Sequence, residues 1–448
     1  MSKIKPRTLS GFMELLPPQQ VYFNNMAAKL RESFSLYGFT PLDTPLMEAA
    51  EILLAKGGGE TEKQVYTLRK GDTDLAIRYE LTASLAKYAA LNYGRLAFPF
   101  RRYEIGKVYR GERAQRGRFR EFYQADIDII GDGSLDILNE AEIPSIIYKC
   151  FTSLGLERFV IHINNRKMLS GFFEQLGVRD CVADVMRAVD KMQKIGVETL
   201  RGILTDELGL STAQAEDIIS LVTYQGDPFA ILDKYRGKNE LFDQGADELA
   251  TVARHMAGFG VPQSHFKIDL SIARGLDYYT GTVYETIMTD YPELGSICSG
   301  GRYDDLAGYY TDKKLPGVGI SIGLTRLFYV LQEQDLLSGA ILTAPADVLI
   351  IPMTEDLSHA VALATSLRDA GLCAQIYGEN KKFKQKLSYA DKLGIPYVIF
   401  LGEDELKSGQ ITARDMITGD QATASAGIVI AGIEEKIKTL REGKPIRS

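Results

Sequence analysis

The sequence predicts an α+β chain of two domains, a strand-rich first part interrupted by a helical insertion and a smaller α/β domain at the end. Three observations predict it. Residues 100–131 read as strand, basic loop and strand; residues from about 170 to 255 place apolar side chains at helical spacing in segments separated by glycine; and from Ala346 onward strand-like and helix-like segments alternate. At 448 residues the chain exceeds what one core serves. The expected boundaries are 1–335 and 345–448, because QDLLSGAILTAPA (about 334–346) has the composition of a linker.

In chain order, Phe23, Met26, Ala27, Leu30, Phe34 and Tyr37 recur at helical spacing after Pro17-Pro18, so a helix is expected from about Gln19 to Tyr37, with Gly38 as its stop. FTPLDTPLMEA follows, and its prolines confine it to an edge or interface strand. An acidic helix over Glu48 to Lys56, a break at Gly57-Gly58-Gly59 and a short strand near Gln64–Leu68 come next. After the insertion, strands return from about 266, and GVGISIGLTRLFYVLQEQ reads as a strand running into a helix. The last domain reads ADVLIIPM, helix, LCAQIYG, helix, PYVIFLG, a hairpin near 410–425 and a closing helix, with parallel-sheet character. KKFKQK at 381–386 makes one basic corner of it.

Bulk composition excludes several classes. The chain is 45% hydrophobic and 25% charged, which is ordinary for a soluble globular protein. Its start lacks an apolar signal core, and no stretch approaches the about 18 apolar residues of a membrane span, so a cytoplasmic protein without membrane partners is expected. Cys150, Cys181, Cys298 and Cys373 lie far apart, and the four histidines form no ligand spacing, which suggests neither zinc nor a disulfide framework. A metal, if used, is expected to be Mg²⁺ arriving with a phosphate substrate. The net charge of −7 argues against indiscriminate coating of nucleic acid.

Against that acidity, residues 101–120 carry seven Arg and one Lys with only two Glu, a local charge of 8 − 2 = +6. Five of the arginines (Arg110, Arg113, Arg116, Arg118, Arg120) fall between 110 and 120. A guanidinium is a rigid fork suited to phosphate oxygens, so the cluster points to a defined phosphate site or a docked partner. Behind it Phe122, Gln124, Asp126 and Asp128 share one face of the returning strand, and Tyr123, Ala125, Ile127 and Ile129 share the other. One face packs on a core; the other lines something polar.

These residues carry a resemblance. Arg110-Gly111-Glu112-Arg113 through Phe119-Arg120-Glu121-Phe122 resembles motif 2 of the class II aminoacyl-tRNA synthetases, GVGISIGLTRLF resembles motif 3, and the first helix with TPL around Pro45 resembles the dimer-forming motif 1. ARGLDYYTG (273–281), GGRYDDLAG (300–308) and IRYELTASLAKY (77–88) are similar to stretches of the histidyl-tRNA synthetase family, and the likeness covers nearly the whole chain.

The resemblance implies an antiparallel-sheet catalytic domain with the helical insertion, a C-terminal anticodon-binding domain and a homodimer. It implies activation of histidine with ATP and Mg²⁺, without zinc or an organic cofactor, and transfer to the 3′ end of tRNA(His). Arg110 would grip the α-phosphate and the histidine carboxylate, with Arg274 opposite. Arg326 would take the γ-phosphate, Glu112 the adenine amino group and Phe122 the ring face, while Arg113 and Arg118 would hold the outer phosphates. Glu80, Thr82 and Gln124 would hold the α-ammonium, and Asp128 and Tyr279 the imidazole nitrogens, with Tyr278 nearby. Asp128 is one methylene shorter than the Glu often found there. The rival from another class is a non-catalytic, histidine-sensing regulatory subunit of ATP phosphoribosyltransferase, which resembles only the catalytic part and tends to lose the signature residues.

Overall fold

The structure is a computed structural model and describes residues 3–55, 62–273, 278–337 and 341–441. The described residues form two compact units, one from Met26–Leu336 with the residues up to Glu14, the other from Leu15–Asn25 with those between Leu337 and Arg441.

The first helix spans Pro17–Leu36 and starts on the proline pair, whose fixed φ and missing N–H suit the first helical turn. Met26, Ala27, Leu30 and Phe34 are buried, as their spacing predicts, and Gly38 at φ +74° turns the chain out of the helix. β1 (Thr40–Pro41) pairs in parallel with Arg102 and Tyr103 at the edge of the large sheet, consistent with its prolines.

The next segment departs from expectation. Glu48 lies in β2 (Met47–Ala49), not in a helix, and the helix is only Ala50–Leu53. The expected strand near 64–68 is displaced to β3 (Thr67–Lys70), preceded by a 3-10 turn at Glu62–Gln64. Both changes follow from β4 (Thr73–Ile77), which pairs with β2 on one side and β3 on the other and so claims backbone groups that a helix would have used. The glycine break at 57–59 lies outside the described residues.

The large sheet then assembles from β5 (Phe100–Tyr109), β6 (Glu121–Ile130), β7 (Phe159–Asn165), β8 (Phe266–Ile268), β9 (Tyr279–Met288), β10 (Cys298–Tyr303) and β11 (Gly317–Ile322). Its order is β1-β5-β6-β11-β10-β9-β7-β8. Its central pairings are antiparallel, and among the described residues the parallel ones are at the edges, β1 with β5 and β7 with β8. Ala125, Ile127 and Ile129 on β6 are fully buried, while Gln124, Asp126 and Asp128 face the other side. The period of two therefore sorted this strand correctly.

Between β7 and β8 the insertion is helical, including Val182–Ile195, Thr212–Val222, Pro228–Tyr235 and Glu240–Gly258. Its starts are written in the sequence. Ser211 and Gln214 form a capping box, Asp227 caps a helix whose first residue is Pro228, and Asn239 caps the last.

The second unit is a five-stranded sheet in which β12 (Val348–Pro352) lies parallel to β13 (Ala374–Ile376) and β14 (Tyr397–Leu401). β15 (Gln410–Asp415) and β16 (Gln421–Ser425) complete it as an antiparallel hairpin. Val348, Ile350 and Ile399 enter one core while Leu349, Ile351 and Val398 enter another on the opposite face. Burial on both faces is why β12 and β14 read as unbroken apolar runs.

Candidate active site

Strands β5 and β6 are in register from Phe100↔Ile130 to Tyr109↔Glu121, so residues 110–120 are the connection that tops this pair. Its tip is a tight turn: Gln115 and Arg118 exchange backbone hydrogen bonds of 3.1 and 2.9 Å, and Gly117 adopts φ +68°, a region that costs glycine nothing.

The five arginines have different fates. Arg110 enters a cavity of about 400 Å³, its guanidinium 4.3 Å from the Tyr79 ring and 5.1 Å from that of Phe122, with Nε donating to Tyr79 O at 3.4 Å. No carboxylate among the described residues pairs with Arg110, so its charge is available to a ligand. Arg118 also lines the cavity, 3.7 Å from Glu112 Oε2. Arg116 is tied to Glu333 at 2.9 Å, and Arg120 donates to Glu112 O at 3.0 Å. Arg113 is exposed and is not among the lining residues.

Facing this loop is the helix Leu324–Glu333, whose N-terminal Gly323 offers no side-chain cap. Arg326 in its first turn lines the cavity and donates to Ser296 O at 2.8 Å. Thr325 accepts from the Tyr123 backbone N–H at 2.8 Å and holds the helix against β6.

The floor comes from β6, β10 and β11. Gln124 donates its amide N–H to Ser321 Oγ, and its Oε1 is buried without a hydrogen-bond partner. Ser321 stands opposite Asp126 in the β11–β6 register. Asp128 accepts from the Tyr303 hydroxyl at 2.8 Å on one oxygen and pairs with Arg102 at 2.8 Å on the other. Gly319 lies opposite Asp128 in the β11–β6 register, and a Cβ there would sit 2.2 Å from Asp128 Oδ1. Only a residue without Cβ leaves room for the carboxylate. An aromatic wall closes this end: the Tyr278 ring is 4.9 Å from Tyr279 and 5.8 Å from Tyr303, and the Tyr278 hydroxyl donates to Glu80 at 3.3 Å.

Burial governs the protonation of these groups. It pushes Asp128 up to about 6 against the pull of Arg102 and the Tyr303 hydroxyl, so the carboxyl is ionised at neutral pH. It pushes Asp126 up to about 8, where Arg102 compensates too little and Asp126 keeps its proton. Burial and the neighbouring carboxylates raise the phenols of Tyr278, Tyr279 and Tyr303, which remain neutral hydroxyls.

The cavity thus gathers Glu80, Thr82, Arg110, Glu112, Arg118, Phe122, Gln124, Asp128, Tyr278, Tyr279 and Arg326 from four separate stretches of sequence. Arg274 lies outside the described residues. Sequence reasoning missed Tyr303, Ser321 and Asp190, which line the cavity, and Arg102 behind it. Tyr303 stands inside the quoted GGRYDDLAG, and Ser321 continues the Gly317, Gly319 alternation, so both were within reach of a parity reading. Among the described residues no group of three or more His, Cys, Asp or Glu is placed to hold a metal ion, and no helix is long and apolar enough to cross a membrane.

The family model described as "Histidyl-tRNA synthetase" matches residues 11–327, and that described as "Anticodon binding domain" matches 347–436. A histidine–tRNA ligase of Clostridium tetani is 50% identical over 441 residues, covering 98% of this chain and 98% of that protein. One from Finegoldia magna is 44% identical, covering 97% of this chain and 100% of that protein. The crystal structure of histidyl-tRNA synthetase from Nostoc sp. PCC 7120 superposes with a TM-score of 0.87 at 36% identity, covering 97% of this chain and 100% of that one. A synthetase family model that spans most of the chain, and half of all residues shared with a relative along nearly its full length, show that this enzyme has the class II synthetase fold and belongs to the histidyl-tRNA synthetase family.

Proposed function

We propose that the chain is a histidine–tRNA ligase that condenses L-histidine with Mg²⁺·ATP and passes the histidyl group to the 3′ end of tRNA(His). The observation that carries this reading is one cavity in which Arg110, paired with no carboxylate among the described residues, adjoins a floor with a fixed acceptor at Asp128 and neutral hydroxyls at Tyr279 and Tyr278. The first feature suits a phosphate beside a carboxylate. The second suits a neutral imidazole, which offers one donor and one acceptor.

In the first step a histidine carboxylate oxygen attacks the α-phosphorus of ATP. An O–P bond forms, the bond to the β-phosphate oxygen breaks, and pyrophosphate leaves. Charge develops on the α-phosphate, where Arg110, held beforehand by its contacts with Tyr79 and Phe122, stabilises it; the resemblance assigns Arg274 the same task. Phe122 carries the adenine ring and Glu112 meets its amino group. Arg118 holds the outer phosphates, and Arg326 takes the γ-phosphate beside an uncapped helix N-terminus already disposed to anions. In the second step the terminal tRNA hydroxyl attacks the acyl carbon and AMP leaves.

Gln124 Oε1 receives the α-ammonium with Glu80 and Thr82, and the bond from its N–H to Ser321 keeps that oxygen turned inward. Ser321→Ala is therefore expected to raise the KM for histidine about 3- to 10-fold, the worth of one hydrogen bond, with little change in kcat. An unchanged KM would remove Ser321 from this role.

Residues 345–448 recognise tRNA, and the catalytic domain is 1–335; the molecule works as a cytoplasmic homodimer. The regulatory-subunit reading is disfavoured by Arg110, Arg274 and Arg326, all present, and by the anticodon-binding match at 347–436. Pyrophosphate exchange measured with each of the twenty amino acids tests the proposal. Exchange with histidine alone is expected; tight histidine binding without exchange would favour the regulator.

A further inference from the structure

Behind the polar floor, and reaching it through Asp126 and Asp128, lies a set of buried charges. Arg102 and Glu104 on β5 stand directly opposite Asp128 and Asp126 on β6. Arg102 is fully buried; its Nη2 is 2.8 Å from Asp128 Oδ2 and its Nη1 is 3.9 Å from Glu104 Oε2. Glu104 is held in turn by Arg78 at 2.8 Å and by the Thr44 backbone N–H and hydroxyl at 3.0 and 2.9 Å. With Asp126 protonated, two cations face two carboxylates and the set is neutral.

Such a set is not needed for stability, because apolar residues of the same volume generally do as well in a core. Its geometry says what it does for the floor. Asp128 is enclosed by Tyr303, Tyr278, Tyr279 and the carboxyl groups of Glu80, Glu104 and Asp126, and Arg102 is the cation paired with it. Remove that cation, and a carboxyl surrounded by acids takes up a proton and keeps only one of its two anchors, the Tyr303 hydroxyl.

We infer that Arg102, which does not line the cavity, is a positioning residue for histidine recognition: it holds Asp128 as an ionised, oriented acceptor for the imidazole N–H. This rests on the reading that Asp128 meets the histidine side chain. Arg102 acts on one end of the substrate only, since Arg110 and Phe122 stand on the loop side of the cavity and take their positions from other contacts.

The test is a double-mutant cycle of Arg102→Met with Asp128→Asn in histidine-dependent pyrophosphate exchange, together with equilibrium binding of histidine and a thermal melt. Arg102→Met is expected to raise the KM for histidine about 10- to 100-fold, as for loss of the buried countercharge that keeps the acceptor ionised, and to leave the KM for ATP unchanged. Asp128→Asn should add little in the Arg102→Met background, because the acceptor is already lost. Arg102→Lys, which keeps the charge without the fork, should fall between. A parallel rise in the KM for ATP, or an Asp128→Asn penalty that is the same with and without Arg102, would overturn the inference. Should Arg102→Met not fold, Arg102→Lys decides alone: a selective rise in the histidine KM supports the role, and a wild-type KM refutes it. Failure of the functional reading would look different, as no histidine-dependent exchange by the unaltered enzyme.

Discussion

Arg110→Ala is expected to slow histidyl-adenylate formation by about 10²- to 10³-fold, or about 2.7–4 kcal/mol of transition-state stabilisation. The guanidinium lies 4.3 Å from the Tyr79 ring and 5.1 Å from that of Phe122, and among the described residues it spends only Nε, on a 3.4 Å bond to Tyr79 O. The remaining donors of the fork are free to meet an α-phosphate oxygen and a carboxylate oxygen together. Arg110→Lys should recover part of the rate, because a lysine keeps charge but cannot span two oxygens. Rapid-quench measurement of adenylate at saturating ATP and histidine distinguishes these outcomes, with circular dichroism to confirm folding. A near-wild-type rate for Arg110→Ala would remove this residue from the chemistry. The resemblance places the same expectation on Arg274→Lys, with Arg274→Ala slower still.

Gly319→Ala is expected to be nearly as damaging, and for a steric reason. A methyl there would stand 2.2 Å from Asp128 Oδ1 and 2.4 Å from Ile127 O. The second of these is backbone and cannot swing away, so β6 and β11 must separate or Asp128 must leave its place. Overpacking of this kind costs about 1–3 kcal/mol of stability. A shift of the acceptor by about 1 Å costs on the order of 10²-fold in kcat/KM for histidine. Exchange kinetics and a melting curve on the purified variant check both. A variant with wild-type melting and wild-type histidine kinetics would show that the space around Asp128 is not limiting.

Much of the architecture is local in origin and was legible. The first helix, the capped insertion helices and the alternation of Phe122 to Ile129 follow from side-chain period and cap chemistry acting within a few residues. The two-sided burial of β12 and β14 likewise announces itself as an unbroken apolar run. Most cavity residues lay in segments whose residue types already suited anion and imidazole recognition, and resemblance supplied their order.

What the sequence by itself determined is which way each side chain faces; what the tertiary structure decided is what it faces. Five arginines of one loop are equivalent on paper, yet Arg110 and Arg118 reach the cavity, Arg116 finds Glu333, Arg120 takes the Glu112 carbonyl and Arg113 is left in solvent. Glu48 has helical neighbours but becomes a strand residue, because β4 arrives to pair with it. Arg102, Glu104 and Asp126 have meaning only in the register of β5 with β6, and Ser321 only in that of β6 with β11. The period of a strand is set by bonds within the chain, whereas its partner and register are set by hydrogen bonds and burial between segments far apart in sequence, and no local pattern encodes those.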